Sequence, residues 1–129
     1  LSIKSLLTNR AETSENHPEE KLKTHYFKVP KDRAMKQCAE TLLKNGNCEL
    51  LSESPERGEM VFKLTKPKKA LIVVTVISVQ AFRTAIDFSV STETPLPVDF
   101  GFSRKFITNT YDELKKQLPY IGTGIAEQI

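Results

Sequence analysis

Two adjoining stretches decide how this chain folds. The first is Ala70-Leu71-Ile72-Val73-Val74-Thr75-Val76-Ile77-Ser78-Val79; after three residues comes Arg83-Thr84-Ala85-Ile86-Asp87-Phe88-Ser89-Val90-Ser91-Thr92. The first is apolar almost throughout and rich in β-branched residues. At ten residues it falls far short of the roughly 20 that cross a bilayer, so it reads as a central strand, apolar on both faces. The second alternates. Thr84, Ile86, Phe88 and Val90 point one way; Arg83, Ala85, Asp87, Ser89 and Ser91 point the other. One dry and one wetter face mark an antiparallel sheet covered on one side.

Upstream, residues 48–53 and 59–65 read as a hairpin around Ser54-Pro55-Glu56-Arg57-Gly58, with Met60, Phe62 and Leu64 on the buried face. Lys66-Pro67-Lys68-Lys69 interrupts the pairing and guards the apolar strand against aggregation. Further back, residues 24–29 alternate as a strand, carrying His25, Phe27 and Val29 on one face. Pro30 then opens a helix to about Lys44, striped by Ala34, Met35, Cys38, Ala39, Leu42 and Leu43 and stopped by Asn45-Gly46. Downstream, Leu96, Val98, Phe100 and Phe102 recur at period two, but Pro97 and Gly101 stand between them, which predicts an edge strand or a packed extended loop. Residues 103–118 carry a helical stripe of Phe106, Ile107, Tyr111, Leu114 and Leu118, ended by Pro119.

The order β-α-β-β-β-β-(edge)-α predicts an α+β two-layer sandwich. A mainly antiparallel, curled sheet packs against a helix in the N-terminal half and a long C-terminal helix. The chain divides into an N-terminal arm and acidic linker at residues 1–21, a single α+β domain at 22–119 and a tail at 120–129. In the arm, Ile3, Leu6 and Leu7 share one side of a short helix, too short to hold alone in water.

The 129 residues suit one domain, and the net charge of +3 is uneven. Residues 1–21 hold three basic and four acidic side chains, and the remainder 16 and 12. Basic residues gather at Lys66, Lys68 and Lys69, at Lys31, Arg33 and Lys36, and on the last helix, but no aromatic platform is interleaved with them. Nucleic acid is disfavoured as a partner. No membrane-spanning or signal segment is read in the chain, which places it in the cytoplasm. Cys38 and Cys48 match no zinc or redox spacing, and Cys38 reads as a small core residue.

Residue types that carry chemistry are few. His17 lies in the polar linker, and His25 reads as a buried, hydrogen-bonded histidine or an edge residue. No Gly-x-Ser-x-Gly elbow is present to anchor a hydrolase triad. Arg83 and Asp87 share a strand face and could bracket a polar ligand, though a solvated pair is the plainer reading. Asp99 could face a cavity mouth or, more simply, cap a turn. Glu12, Glu15, Glu19 and Glu20 lack the loop geometry of a metal site, and Gly122-Thr123-Gly124 lacks the lysine and helix start of a phosphate cradle. The reading is therefore no enzyme, no metal and no cofactor.

The strand-and-helix order broadly resembles the helix-grip architecture of lipid- and small-ligand-binding domains. That resemblance implies a non-enzymatic cytosolic binding module, with an apolar small-ligand cavity between the sheet and the C-terminal helix. Leu96, Val98, Phe100, Phe102 and Tyr111 are then the ligand-binding candidates. The alternative is a protein-interaction or homo-oligomerising domain that uses the N-terminal arm or the 95–102 edge segment, which would be open to pairing.

Overall fold

A computed structural model describes residues 9–44, 46–94 and 98–128. Among these described residues, seven strands and two α-helices follow one another as β1 (Arg10–Glu12), β2 (His25–Phe27), α1 (Lys31–Leu43), β3 (Cys48–Ser54), β4 (Glu59–Leu64), β5 (Ala70–Gln80), β6 (Arg83–Thr92), α2 (Phe102–Gln117) and β7 (Tyr120–Thr123). The fold is α+β: an open, curled sheet in which every named strand pair is antiparallel, packed against the helices. The strand order is β3-β4-β5-β6-β2-β7, and β1 joins β6 beside β2.

The alternation in β4, β5 and β6 does the work expected of it. In-register pairs such as Phe62↔Ile72 and Ile72↔Val90 put Met60, Phe62, Ile72, Val74, Ile86, Phe88 and Val90 on one face. Ala34, Met35, Cys38 and Leu42 of α1 and Ile107, Tyr111 and Leu114 of α2 close over that face in a single cluster. Burying each large side chain contributes about 1.5–3 kcal/mol. The other face of β5 is only half covered: Leu71 is 40% exposed and Ile77 50%. The strand is central by pairing, but both helices lie on the opposite side.

Two short segments hold structure that their sequence does not announce. Residues 10–12, within the stretch read as arm and linker, form β1. β1 and β2 lie end to end along β6, pairing with Ser89–Ser91 and Thr84–Ile86 respectively. Residues 14–23 leave this line and return to it, closed by the Ser14↔Lys23 bridge. Residues 120–123, in the stretch read as a tail, form β7 against β2. In both cases the stabilising partner is backbone, so no apolar period is needed and none is visible.

The described part of the 96–102 segment is a turn. Phe100 and Gly101 both take positive φ (55° and 86°), and α2 begins at Phe102. Asp99, 3% exposed, holds the turn. Its Oδ1 accepts the Gly101 N–H at 3.1 Å. Its Oδ2 accepts the Ser103 hydroxyl at 2.5 Å, the Ser103 N–H at 3.2 Å and the Thr92 hydroxyl at 3.0 Å. A carboxylate at a helix N-terminus satisfies donors that lack intrahelical partners and meets the positive end of the helix dipole.

Candidate functional site

The five residues expected to line a ligand site are placed very differently. Tyr111 is 1% exposed and packed: it stacks on His25, meets Phe88 edge-on at 5.0 Å, and donates its hydroxyl hydrogen to the Ile86 carbonyl at 2.7 Å. Phe102 is half-buried near Phe106, with ring centroids 6.2 Å apart, and Val98 is half-buried. Phe100 is 67% exposed, so it and Tyr111 do not share a cavity. Leu96 lies outside the described residues, as do Ile3, Leu6 and Leu7 of the arm.

The titratable candidates have structural partners. His25 is buried, and its Nδ1–H donates to the Lys23 carbonyl at 2.7 Å. Burial outweighs that bond and pushes its pKa down to about 4. Asp87 accepts the hydroxyls of Thr13 at 2.6 Å and Thr24 at 2.7 Å, the first just after β1 and the second just before β2. Burial raises its pKa; the two hydroxyls act against that, and Glu15 adds to it. Glu15 in turn accepts the Tyr26 hydroxyl at 2.6 Å. Cys38 is fully buried, which pushes its thiol up to about 12, and Cys48 is half-buried. Among the described residues, no group of three or more His, Cys, Asp or Glu is arranged to hold a metal ion.

A cleft of about 620 Å³ lies between α1 and β3. Its floor is Met35, Ala39, Leu43 and Leu50, and charged residues such as Lys36, Glu40 and Glu53 line its edges. Residues in a helix advance by about 100° each, which gathers Asp32, Met35, Lys36, Ala39 and Leu43 into about 100° of arc. The sheet covers Ala34, Met35, Cys38 and Leu42, while Ala39 stays half-buried and Leu43 39% exposed. The apolar stripe on α1 is thus wider than the surface that covers it. That excess width was visible in the sequence; the neighbour that turns it into a groove, Leu50 across the gap, was not. A second, polar cleft of about 540 Å³ separates α1 from α2 and is lined by Gln37, Glu40, Thr41, Lys44, Glu113 and Gln117.

The groove combines apolar Met35, Ala39, Leu43 and Leu50 with the charged Asp32, Lys36, Glu40, Lys44 and Glu53. It is open to solvent. β3 pairs with β4 alone, which leaves its second edge free among the described residues, with Leu50 37% and Leu51 49% exposed. Comparison with protein-family models, curated proteins and solved structures finds no match to this chain.

Proposed function

We propose that this chain is a non-catalytic binding module that takes an extended protein segment along β3, with alternate side chains of that segment seated in the α1–β3 groove. The observation that carries this is the coincidence of a free strand edge with an apolar groove beside it. Strand addition uses just these two elements, backbone pairing for affinity and pockets for alternate side chains for specificity. An apolar small molecule is the weaker fit, because small-ligand sites enclose most of their ligand and this groove is open to solvent. Tyr111, Ile107 and Leu114 occupy the space between the sheet and α2 as packed core.

Charge selects the segment. β3 carries Glu49 and Glu53 and no basic residue, so a segment with lysine or arginine between its apolar positions fits best. A second copy fits poorly: antiparallel pairing centred on Leu51 would place Glu49 opposite Glu53 of the other chain. The bulge at Leu51 shortens the usable edge, which favours a short segment.

The test is selection of random linear peptides on the full chain, followed by affinity measurements on Leu50→Glu and Leu43→Glu. The expected result is peptides of alternating apolar and basic residues that bind each variant at least about tenfold more weakly, or about 1.4 kcal/mol. Enriched peptides that bind the variants as tightly as the parent, or no enrichment at all, would overturn the reading.

A further inference from the structure

Beyond the groove, the end of the β5–β6 hairpin has an unusual surface. Six consecutive residues, Ile77, Ser78, Val79, Gln80, Ala81 and Phe82, are exposed, and none carries a charge. Phe82 is 63% exposed, Ile77 50% and Val79 40%. The hairpin overhangs the sheet on the β4 side: the β4–β5 ladder stops at Glu59↔Thr75, while β5 and β6 stay paired out to Gln80↔Arg83.

Cations stand directly behind this tip. Arg83 closes the hairpin. The β2–β6 register ends at Phe27↔Thr84, so Lys28, the next residue, comes level with Arg83. That position is fixed by the Lys28 N–H donating to the Pro119 carbonyl at 2.8 Å and the Thr84 hydroxyl donating to the Val29 carbonyl at 2.7 Å. Tyr120, which pairs with Phe27, is 39% exposed and carries the Lys115 ammonium 4.5 Å from its ring centre. Arg57, in the neighbouring loop, is engaged by Glu59 at 3.4 Å, and Glu20 and Asp112 share the surroundings of Tyr120 and His25 with Lys115, so the basic excess rests chiefly on Lys28 and Arg83, with Lys115 behind them.

We infer that the β5–β6 hairpin tip docks this protein on an anionic lipid surface, with Phe82, Val79 and Ile77 entering the headgroup boundary while Lys28, Arg83 and Lys115 meet lipid phosphates. Aromatic and aliphatic side chains gain from burial at that depth, and cations near the surface add attraction to anionic lipid. The exposed apolar tip is a handful of residues, far below the roughly 800 Å² per partner of a stable protein–protein interface. A protruding uncharged tip with cations behind it on the β2 side matches a bilayer, which is apolar at depth and anionic at its surface.

The experiment is co-sedimentation of the full chain with vesicles of phosphatidylcholine alone or mixed with phosphatidylserine, at low and high salt. The variants are Phe82→Ser and the pair Lys28→Gln/Arg83→Gln. Circular dichroism monitors folding of each, and light scattering without vesicles monitors self-association. The expected result is salt-sensitive binding to the phosphatidylserine vesicles. Phe82→Ser should lower partitioning about tenfold, and each removed charge about fivefold. No binding to the anionic vesicles overturns the inference, as does equal binding of folded Phe82→Ser. Self-association that Phe82→Ser abolishes, without vesicle binding, would assign the tip to a second copy instead. Neither outcome touches the groove, whose variants lie at β3 and α1.

Discussion

The imidazole of His25 lies flat on the phenol of Tyr111, with ring centroids 3.4 Å apart and planes 9° apart. His25 sits opposite Ile86 in the β2–β6 ladder, and the Tyr111 hydroxyl donates to the carbonyl of that same Ile86 at 2.7 Å. One stack therefore joins the short strand β2, the central strand β6 and the helix α2. The imidazole is held neutral there, because burial costs the cation more than the Lys23 carbonyl returns.

Stability should fall as pH drops through a defined window. The folded pKa of His25 is about 4 against 6.5 for the free side chain. Between those values the unfolded chain binds the extra proton, so lowering pH favours unfolding. The contribution is complete above pH 6.5, declines toward pH 4 and levels off below, with an upper size of about 3 kcal/mol. Urea denaturation across this range should show the slope, and His25→Phe, which keeps a stacked ring without a titrating nitrogen, should flatten it. Parallel curves for the two proteins would refute the assignment.

Asp87 should be the clasp that holds the end of β1 to the start of β2. Replacing it with alanine leaves the Thr13 and Thr24 hydroxyls without their shared acceptor, at a cost of about 1–3 kcal/mol. Hydrogen exchange should rise first at the Thr13 and Thr24 amides, which bond to Phe88 O and Ser14 O, ahead of the β4–β5 ladder. Uniform loss of protection across the sheet would mean that the carboxylate does not act locally.

Gly58 tolerates no side chain. Its φ is +66°, and a Cβ there would lie 1.9 Å from the Val76 carbonyl oxygen. The same residue accepts the Val76 N–H at 2.6 Å, so the loop cannot back away without losing that bond. Gly58→Ala should cost more than about 2 kcal/mol, read as a lowered denaturation midpoint. Gly46→Ala is the control for conformation alone, since its φ is +70° with nothing within 4 Å of an added Cβ. Equal effects at the two positions would discount the clash.

The two thiols should separate in reactivity. Cys38 is fully buried with its pKa pushed up to about 12, whereas Cys48 is half-buried at the start of β3. A thiol reagent should modify Cys48 first in the native protein and Cys38 only on unfolding. Modification of both at one rate would show that the α1 side of the core opens easily.

The sequence by itself determined the layers. The unbroken apolar run of residues 70–79 and the strict alternation from Arg83 to Thr92 required a central antiparallel sheet with one dry face. The stripes on residues 31–43 and 103–118 supplied the two helices that cover it. Those are local periodicities, and burial acts on them directly. Asp99 as a turn-holding carboxylate was also legible, because it sat beside the turn that placed it, whereas His25 read equally as a buried hydrogen-bonded ring or an edge residue until strand pairing decided it.

Only the tertiary structure decided the rest. Residues 10–12 and 120–123 became strands because a free edge of β6, and then of β2, offered them backbone partners; such pairing leaves no signature in side-chain pattern. Asp87 gained its two hydroxyls from residues 74 and 63 positions away along the chain. Tyr111 was legible as part of an apolar stripe, but its His25 neighbour arrives through strand pairing. The groove arose the same way: Met35, Ala39 and Leu43 are one helix face, and only the sheet's curl brings Leu50 opposite them. Period reports which side of an element is apolar, whereas which elements meet across a gap depends on contacts distant in sequence.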